Sequence, residues 1–503
     1  MPLGRKPLPR LTGTLRVFDA SFANDTTLTS TAHWFYGCRN LTAITGISNL
    51  RTDNVRYMRH MFRYCTNLTE LDVRGFNTGN VEDMRGLFSH CSSLTNLDVS
   101  GFKTDNVTDM MSMFDGCTKL TSIDVSHFKT EKVTNLSVMF QMCPSLTSLD
   151  LSNFNTSNVT NTQGMFYGCS NLVTLDVRNF DMSKVNNEEK NMFTDCSYLA
   201  CVIAGNAEIP AEEYAQIQNP NLLVYVNEPS SAPQGVQNVV VNGVAKEIVL
   251  TDEVGSSDNN NFYVPQSFTA EKITYTRNFA QQTQPNVSRG WESISLPFNV
   301  QNIVHESKGG LVPFGSSAEG KKFWLRRLAD NGLTRAYQIE ANVPYVISMP
   351  NSTEYTDLYN LAGRVTFSAE NTTVPATTPQ TMSLSDGSID MVPTMLRVNR
   401  SSRVWALNVG EVRGQYLEGS VFERDYRMVR PFQAYTVHHS NSPAPRFVPI
   451  NKLMDGDATP IDELVSPEMS GDSYYTLDGR KLDSKPITKG VYIRNGRKVV
   501  VGH

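Results

Sequence analysis

The sequence predicts an α/β solenoid of 26-residue repeats, followed by an all-β, sandwich-like domain and a short β-hairpin tail at the C-terminus. Three observations predict it: seven cysteines at near-constant spacing, apolar positions that hold the same register as those cysteines, and a change near residue 236 to short β-prone runs divided by turn residues. At 503 residues the chain exceeds what one hydrophobic core covers.

The spacing comes first. Cys38, Cys65, Cys91, Cys117, Cys143, Cys169 and Cys196 lie 27, 26, 26, 26, 26 and 27 residues apart. A fixed period of this length is the mark of stacked units, each burying its apolar face only against its neighbours. Three residues before each cysteine stand Phe35, Phe62, Phe88, Phe114, Phe140, Phe166 and Phe193, and three after it Leu41, Leu68, Leu94, Leu120, Leu146, Leu172 and Leu199.

Within a unit, Leu94 opens the run Leu97-Asp98-Val99 followed by Phe102. The alternation predicts a short strand with Leu97 and Val99 inward and Asp98 outward. The polar stretch Lys103 to Asn106 predicts a corner. Val107, Met110, Met113, Phe114 and Cys117 then fall at steps of three, three, one and three, which predicts a short helix with one apolar face. Stacking such units predicts a continuous parallel sheet along one side, about 4.8 Å per repeat.

From Asn106 to Phe128 the repeat reads N-V-x-x-M-x-x-M-F-x-x-C-x-x-L-x-x-[LI]-D-V-S-x-F. In this it resembles the BspA-like leucine-rich repeat surface proteins, in the subgroup with a 26-residue repeat. The resemblance covers residues 33–205 and implies a leucine-rich-repeat-type solenoid, surface display and adhesion, with no catalytic residues to carry over. The end units depart from the pattern, with Ile44 to Ile47 in place of L-D-V and an insertion at Asn187 to Glu189, as capping of an open-ended core requires.

The expected organisation is an N-terminal segment or truncated cap over 1–32, the solenoid over 33–205, and a cap and linker over 206–235. The β-domain follows over 236–450 and a linker with the hairpin tail over 451–503. Ala211 to Gln218 predicts a short closing helix, and Asn242-Gly243 a tight hairpin. Tyr474 to Val501 resembles short C-terminal tails of exported bacterial proteins, with Asn495-Gly496 as its turn.

Composition narrows the function. Charged residues make up 19% and the net charge is -5, so no polyanion-binding surface is implied and nucleic acid is excluded as a partner. No stretch approaches the length of a transmembrane helix, and the start shows no apolar signal core, so the chain is either cytoplasmic or written from downstream of an export signal. The tail favours an extracellular or cell-surface location.

The cysteine ladder supplies one thiol per unit rather than the clustered pairs of a zinc site, and reads as buried core. Cys196 and Cys201 break the ladder, either as a capping disulfide or as core. No catalytic motif is present: the eight histidines are scattered, and Asp455-Gly-Asp457 is at best half a calcium loop. Trp291, Trp324 and Trp405 read as core residues, the alternative being a carbohydrate platform. No cofactor and no metal are expected.

The column Asp72, Asp98, Asp124, Asp150 and Asp176 is the candidate partner-binding face. Carboxylates one strand apart repel by about 1 kcal/mol in water and several times more at an effective dielectric of 20. Two residues on stand Arg74, Ser100, Ser126, Ser152 and Arg178, so guanidinium partners exist only at the ends. Hydrogen bonds from side chains or backbone N–H groups, weak divalent-cation capture, or a partner's basic groups each offset the repulsion. The expected function is non-enzymatic binding of a host or bacterial surface protein or glycan through the solenoid. The alternative is a polysaccharide-active enzyme or carbohydrate-binding protein acting through residues 236–450.

Overall fold

The computed structural model describes residues 17–19, 27–186, 189, 191–253, 260–283, 289–352, 360–414, 416–439, 445–454, 474–475, 481–482, 490–494 and 497–501. The chain forms two compact units, one made of Met1–Ile248 with Val254–Phe268, the other of Val249–Glu253 with Thr269–His503.

In the first unit the repeats stack in register, but the expected helices are absent and the α/β assignment is overturned. Among the described residues the one α-helix is the four-residue Ala211–Tyr214. The segment Val107 to Cys117 is instead a chain of turns. Met113 N–H donates to the Met110 carbonyl and Cys117 N–H to that of Phe114, both at 3.2 Å. Between these turns Ser112 and Gly116 sit at φ 59° and 71°. Left-handed residues four apart stop a right-handed helix from propagating. They also turn alternate N–H groups along the stack, where Met110, Ser112, Phe114 and Gly116 donate to the carbonyls of Asn135, Ser137, Met139 and Gln141. The apolar steps that suggested a helix are satisfied because each turn still delivers one inward side chain.

The continuous ladder therefore lies on the side expected to be helical, as parallel bridges from Ser30 through Tyr57, Asp83, Asp109 and Asn135 to Asn161. The L-D-V side is a strand at Ser148–Asp150 and Thr174–Asp176 but not at Leu97 to Val99 or Ile123 to Val125. The expected unbroken sheet is thus confined to the later coils, where parallel pairing continues through Cys201–Gly205, Leu223–Val226 and Asn238–Val241. Val241 then pairs with Val244 across Asn242 and Gly243, whose φ of 48° and 81° give the tight turn this dipeptide favours. At the other end Val17–Asp19 pairs in parallel with Ala43–Thr45.

The interior matches the spacing. Rings from Phe35 through Phe62, Phe88, Phe114, Phe140 and Phe166 to Phe193 stack at centroid distances of 5.5 to 6.1 Å. The short helix closes the column, with Tyr214 at 6.0 Å from Phe193 and the buried Glu213 carboxylate accepting from Met192 N–H at 2.8 Å. All eight cysteines are buried and free, Cys196 and Cys201 included. From Cys65 to Cys196 each ladder thiol donates to the Phe carbonyl of the preceding coil. Burial pushes the Cys117 thiol up to about 12, so it is unreactive at neutral pH.

A second buried column joins the coils at the corner. Thr52, Thr78, Thr104, Thr130 and Thr156 each donate a hydroxyl hydrogen to a carbonyl of the next coil, at 2.9 to 3.0 Å. The Thr104 hydroxyl also accepts from Lys129 N–H at 2.7 Å. Thr104→Val should leave both backbone groups of Lys129 unpaired and cost about 1–3 kcal/mol. Urea unfolding checks this beside the exposed Thr121→Val, which should be near neutral.

The second unit is built from two β-sheets with a common core. Among the described residues one runs Glu292–Ile294, Tyr345–Ser348, Lys321–Ala329, Gly309–Pro313, Asn302–His305, Gly363–Val374 and Phe268–Phe279. The other runs Met382–Ser383, Ile389–Thr394, Gln433–His438, Trp405–Leu407, Val421–Arg424 and Phe447–Pro449. Trp291, Trp324 and Trp405 pack in the core with Phe314, Met391 and Phe422. In the tail, Gly490–Arg494 pairs antiparallel with Arg497–Val501, and Arg494 faces Arg497. The expected turn residues Asn495-Gly496 lie outside the described residues, as do Asn187-Glu188 and Asp455 to Asp457.

Candidate functional site

The aspartate column is built by the sequence D-x-[SR], which closes a small turn. The Oδ1 of Asp72, Asp98, Asp124, Asp150 and Asp176 accepts from the backbone N–H two residues on, at 2.9 to 3.2 Å. Aspartate favours this turn because its short side chain mimics a backbone carbonyl. At the ends of the column the carboxylates also receive guanidinium donors, Arg74 Nε at 2.8 Å from Asp72 and Arg178 Nε at 2.9 Å from Asp176. Inside it, Ser100 and Ser126 donate their hydroxyls to Asp98 and Asp124 at 2.6 and 2.7 Å. These serine bonds hold the Asp98 and Asp124 carboxyls below the usual carboxylate range.

Every bond of Asp98, Asp124 and Asp150 falls on Oδ1. Their Oδ2 atoms have no hydrogen-bond donor among the described residues, and the three side chains are exposed. The column is therefore a row of three solvent-facing carboxylates between two guanidinium-paired ends. Hydrogen bonds offset the repulsion in part, which leaves the outer oxygens for a cationic group. The row ends beside a cleft of about 500 Å³ lined by Arg178, Asp181, Ser183, Asn206 and Glu208.

Among the described residues, the histidines and the buried arginine of the second unit are taken up by structural contacts. His305 accepts Ser307 N–H on Nδ1 and bonds the Ala362 carbonyl through Nε2, so both ring nitrogens are occupied. Asp390 takes His439 on one oxygen and the Ser383 hydroxyl on the other, an order in which the serine meets the carboxylate and not the imidazole. His438 lies against Trp405 at 4.4 Å, and burial pushes its imidazole down to about 4. Buried Arg277 spends its donors on Asp252, Tyr275 and the carbonyls of Ser293 and Phe432. The buried tryptophans offer no platform for a sugar ring.

Two features escaped the sequence reading. The threonine ladder recurs at the period of the cysteines and was visible by that signal. The first coils carry arginine as their basic residue, seven between residues 27 and 85 with no lysine, whereas residues 86–177 carry four lysines and no arginine.

Among known families, the profile described as Mycoplasma protein of unknown function, DUF285, matches residues 19–120 and 95–204. Two overlapping matches to one profile are what a periodic array produces. They span the stacked coils and leave the remainder of the chain unmatched. No curated protein matches the chain. Among the described residues no helix is long and apolar enough to cross a membrane.

Proposed function

We propose that the chain is a non-enzymatic binding protein of the cell surface, whose stacked coils recognise a protein or glycan partner through the aspartate column. The observation that carries this reading is the row of Asp98, Asp124 and Asp150, in register and exposed, each with an outer oxygen that no donor among the described residues takes. Fixed charges one coil apart favour a partner with matching cationic groups and disfavour others. The likeness of the repeats to BspA-like surface proteins supports adhesion, and the tail supports export.

The test uses the full chain and Asp98→Asn/Asp124→Asn/Asp150→Asn on glycan arrays and immobilised matrix proteins. Asparagine keeps Oδ1 as the turn's acceptor and removes the charge. The triple variant should melt close to the parent, since asparagine still accepts in each turn, and should lose binding. A lowered melting temperature that does not respond to calcium would assign the carboxylates to the coils alone. Polysaccharide cleavage by residues 236–450 would overturn the non-enzymatic reading.

A further inference from the structure

A different face of the same coils carries the opposite chemistry. In the first coil Tyr36 is 40% exposed, and Arg39 is exposed as well. Tyr64 lies half-buried against both. Its ring is edge-on to Tyr36 at 5.8 Å and stacked on His90 at 4.7 Å, and the guanidinium groups of Arg39 and Arg63 lie 5.7 and 5.1 Å from its centroid. Tyr64 holds this place at φ 63°, where the coils before and two after it have Gly37 and Gly116.

The charges on this face are unequal. Arg56 and Arg59 pair with Glu82 and Asp83, and Arg85 with Asp83. Arg39 and Arg63 have no carboxylate within ion-pair distance among the described residues. Two guanidinium groups held against a tyrosine ring are cations already fixed in place, so little side-chain entropy is lost when they bind an anion. The positions equivalent to Tyr36 and Arg63 in the next three coils are Ser89, Asp115 and Gln141, Tyr167 restores the tyrosine in the sixth, and Thr66, Ser92 and Thr118 replace Arg39. The combination of tyrosine with arginine is thus confined to the first coils.

We propose that this end is a docking surface for an acidic polypeptide, with Arg39 and Arg63 pairing its carboxylates and Tyr36 covering its apolar groups. The inference rests on the reading of the chain as a binding protein, but on a separate face. Tyrosine and arginine without lysine is the composition of the energetically dominant centre of protein–protein interfaces. A carboxylate-bearing partner meets the two unpaired cations, and the planar guanidinium suits carboxylates in a paired geometry.

The test is fluorescence anisotropy of a short labelled poly-L-glutamate titrated with the full chain. Arg39→Ala/Arg63→Ala should bind about tenfold more weakly with an unchanged melting temperature. Arg39→Lys/Arg63→Lys should remain weakened, since lysine keeps the charge and loses the stacked fork. If the double alanine variant is unstable, Arg39→Glu alone at its exposed position gives the same reading. Absence of binding by the parent, unchanged affinity in the arginine variants, or tighter binding of heparin than of polyglutamate would overturn the proposal, the last by assigning the surface to a glycan. Asp98→Asn/Asp124→Asn/Asp150→Asn should bind polyglutamate as the parent does, so a failure of the aspartate column and a failure here are separable.

Discussion

Phe114→Ala is expected to destabilise the stacked coils by about 3–5 kcal/mol. The side chain is fully buried, and its ring lies between Phe88 at 5.8 Å and Phe140 at 5.5 Å. Deleting it removes the transfer free energy of an aromatic ring and leaves a cavity that two fixed neighbours limit from collapsing. The Phe114 carbonyl also accepts from the Cys143 thiol at 3.1 Å and from Cys117 N–H at 3.2 Å, so movement of this backbone disturbs the adjoining turns. Each coil is stabilised by its neighbours, and the loss should propagate along the stack. Hydrogen exchange should show faster opening in the coils on both sides of Phe114, and urea unfolding should give the magnitude. A cost below 1 kcal/mol would mean that the coils repack around the gap.

The register of the stack was legible because Phe, Cys and Leu recur at one period and the period alone specifies which side chains meet. The path between those side chains was not. Steps of three, three, one and three from Val107 to Cys117 fit one face of a helix, and they equally fit successive turns interrupted by left-handed residues. The discriminating signal was glycine at two repeat positions four apart, Gly86 and Gly164 at one and Gly37, Gly116 and Gly168 at the other, where φ is positive. Its weakness was that Ser112, Val138 and Met142 occupy the same positions elsewhere. The aspartate column was legible as an outward row, and the D-x-[SR] spacing held the turn that satisfies it. That only one oxygen of each central carboxylate is used required coordinates. The tyrosine–arginine surface was visible only as a segregation of arginine from lysine, because its rings come from separate coils and meet through left-handed backbone.

Arg277→Met should cost about 3–5 kcal/mol, for removing one member of a buried charged network strands the others. The strand Phe268–Phe279 alternates, and its inward row places Arg277 between Tyr275 and Phe279 with 3% of its side chain exposed. Nε donates to Asp252 at 2.7 Å, and the two Nη atoms reach the carbonyls of Ser293 and Phe432 at 2.8 and 3.1 Å. Methionine fills the volume and supplies none of these donors. Glu292, 3.8 Å from Arg277, gives the network a pH signature. Burial pushes its carboxyl up from 4.5 to about 7, more than the attraction of Arg277 lowers it. The folded state then holds this proton more tightly than the unfolded chain does. Stability from Glu292 is therefore complete below about pH 4.5 and is lost as pH rises through about 7. Glu292→Gln, which cannot ionise, should be more stable than the parent by about 2–3 kcal/mol above pH 7, and the difference should vanish toward pH 4.5. Denaturant melts of parent and variant across that range decide it. A difference that is constant with pH would place the ionisation of Glu292 at its ordinary value and make Arg277 a full partner to its carboxylate.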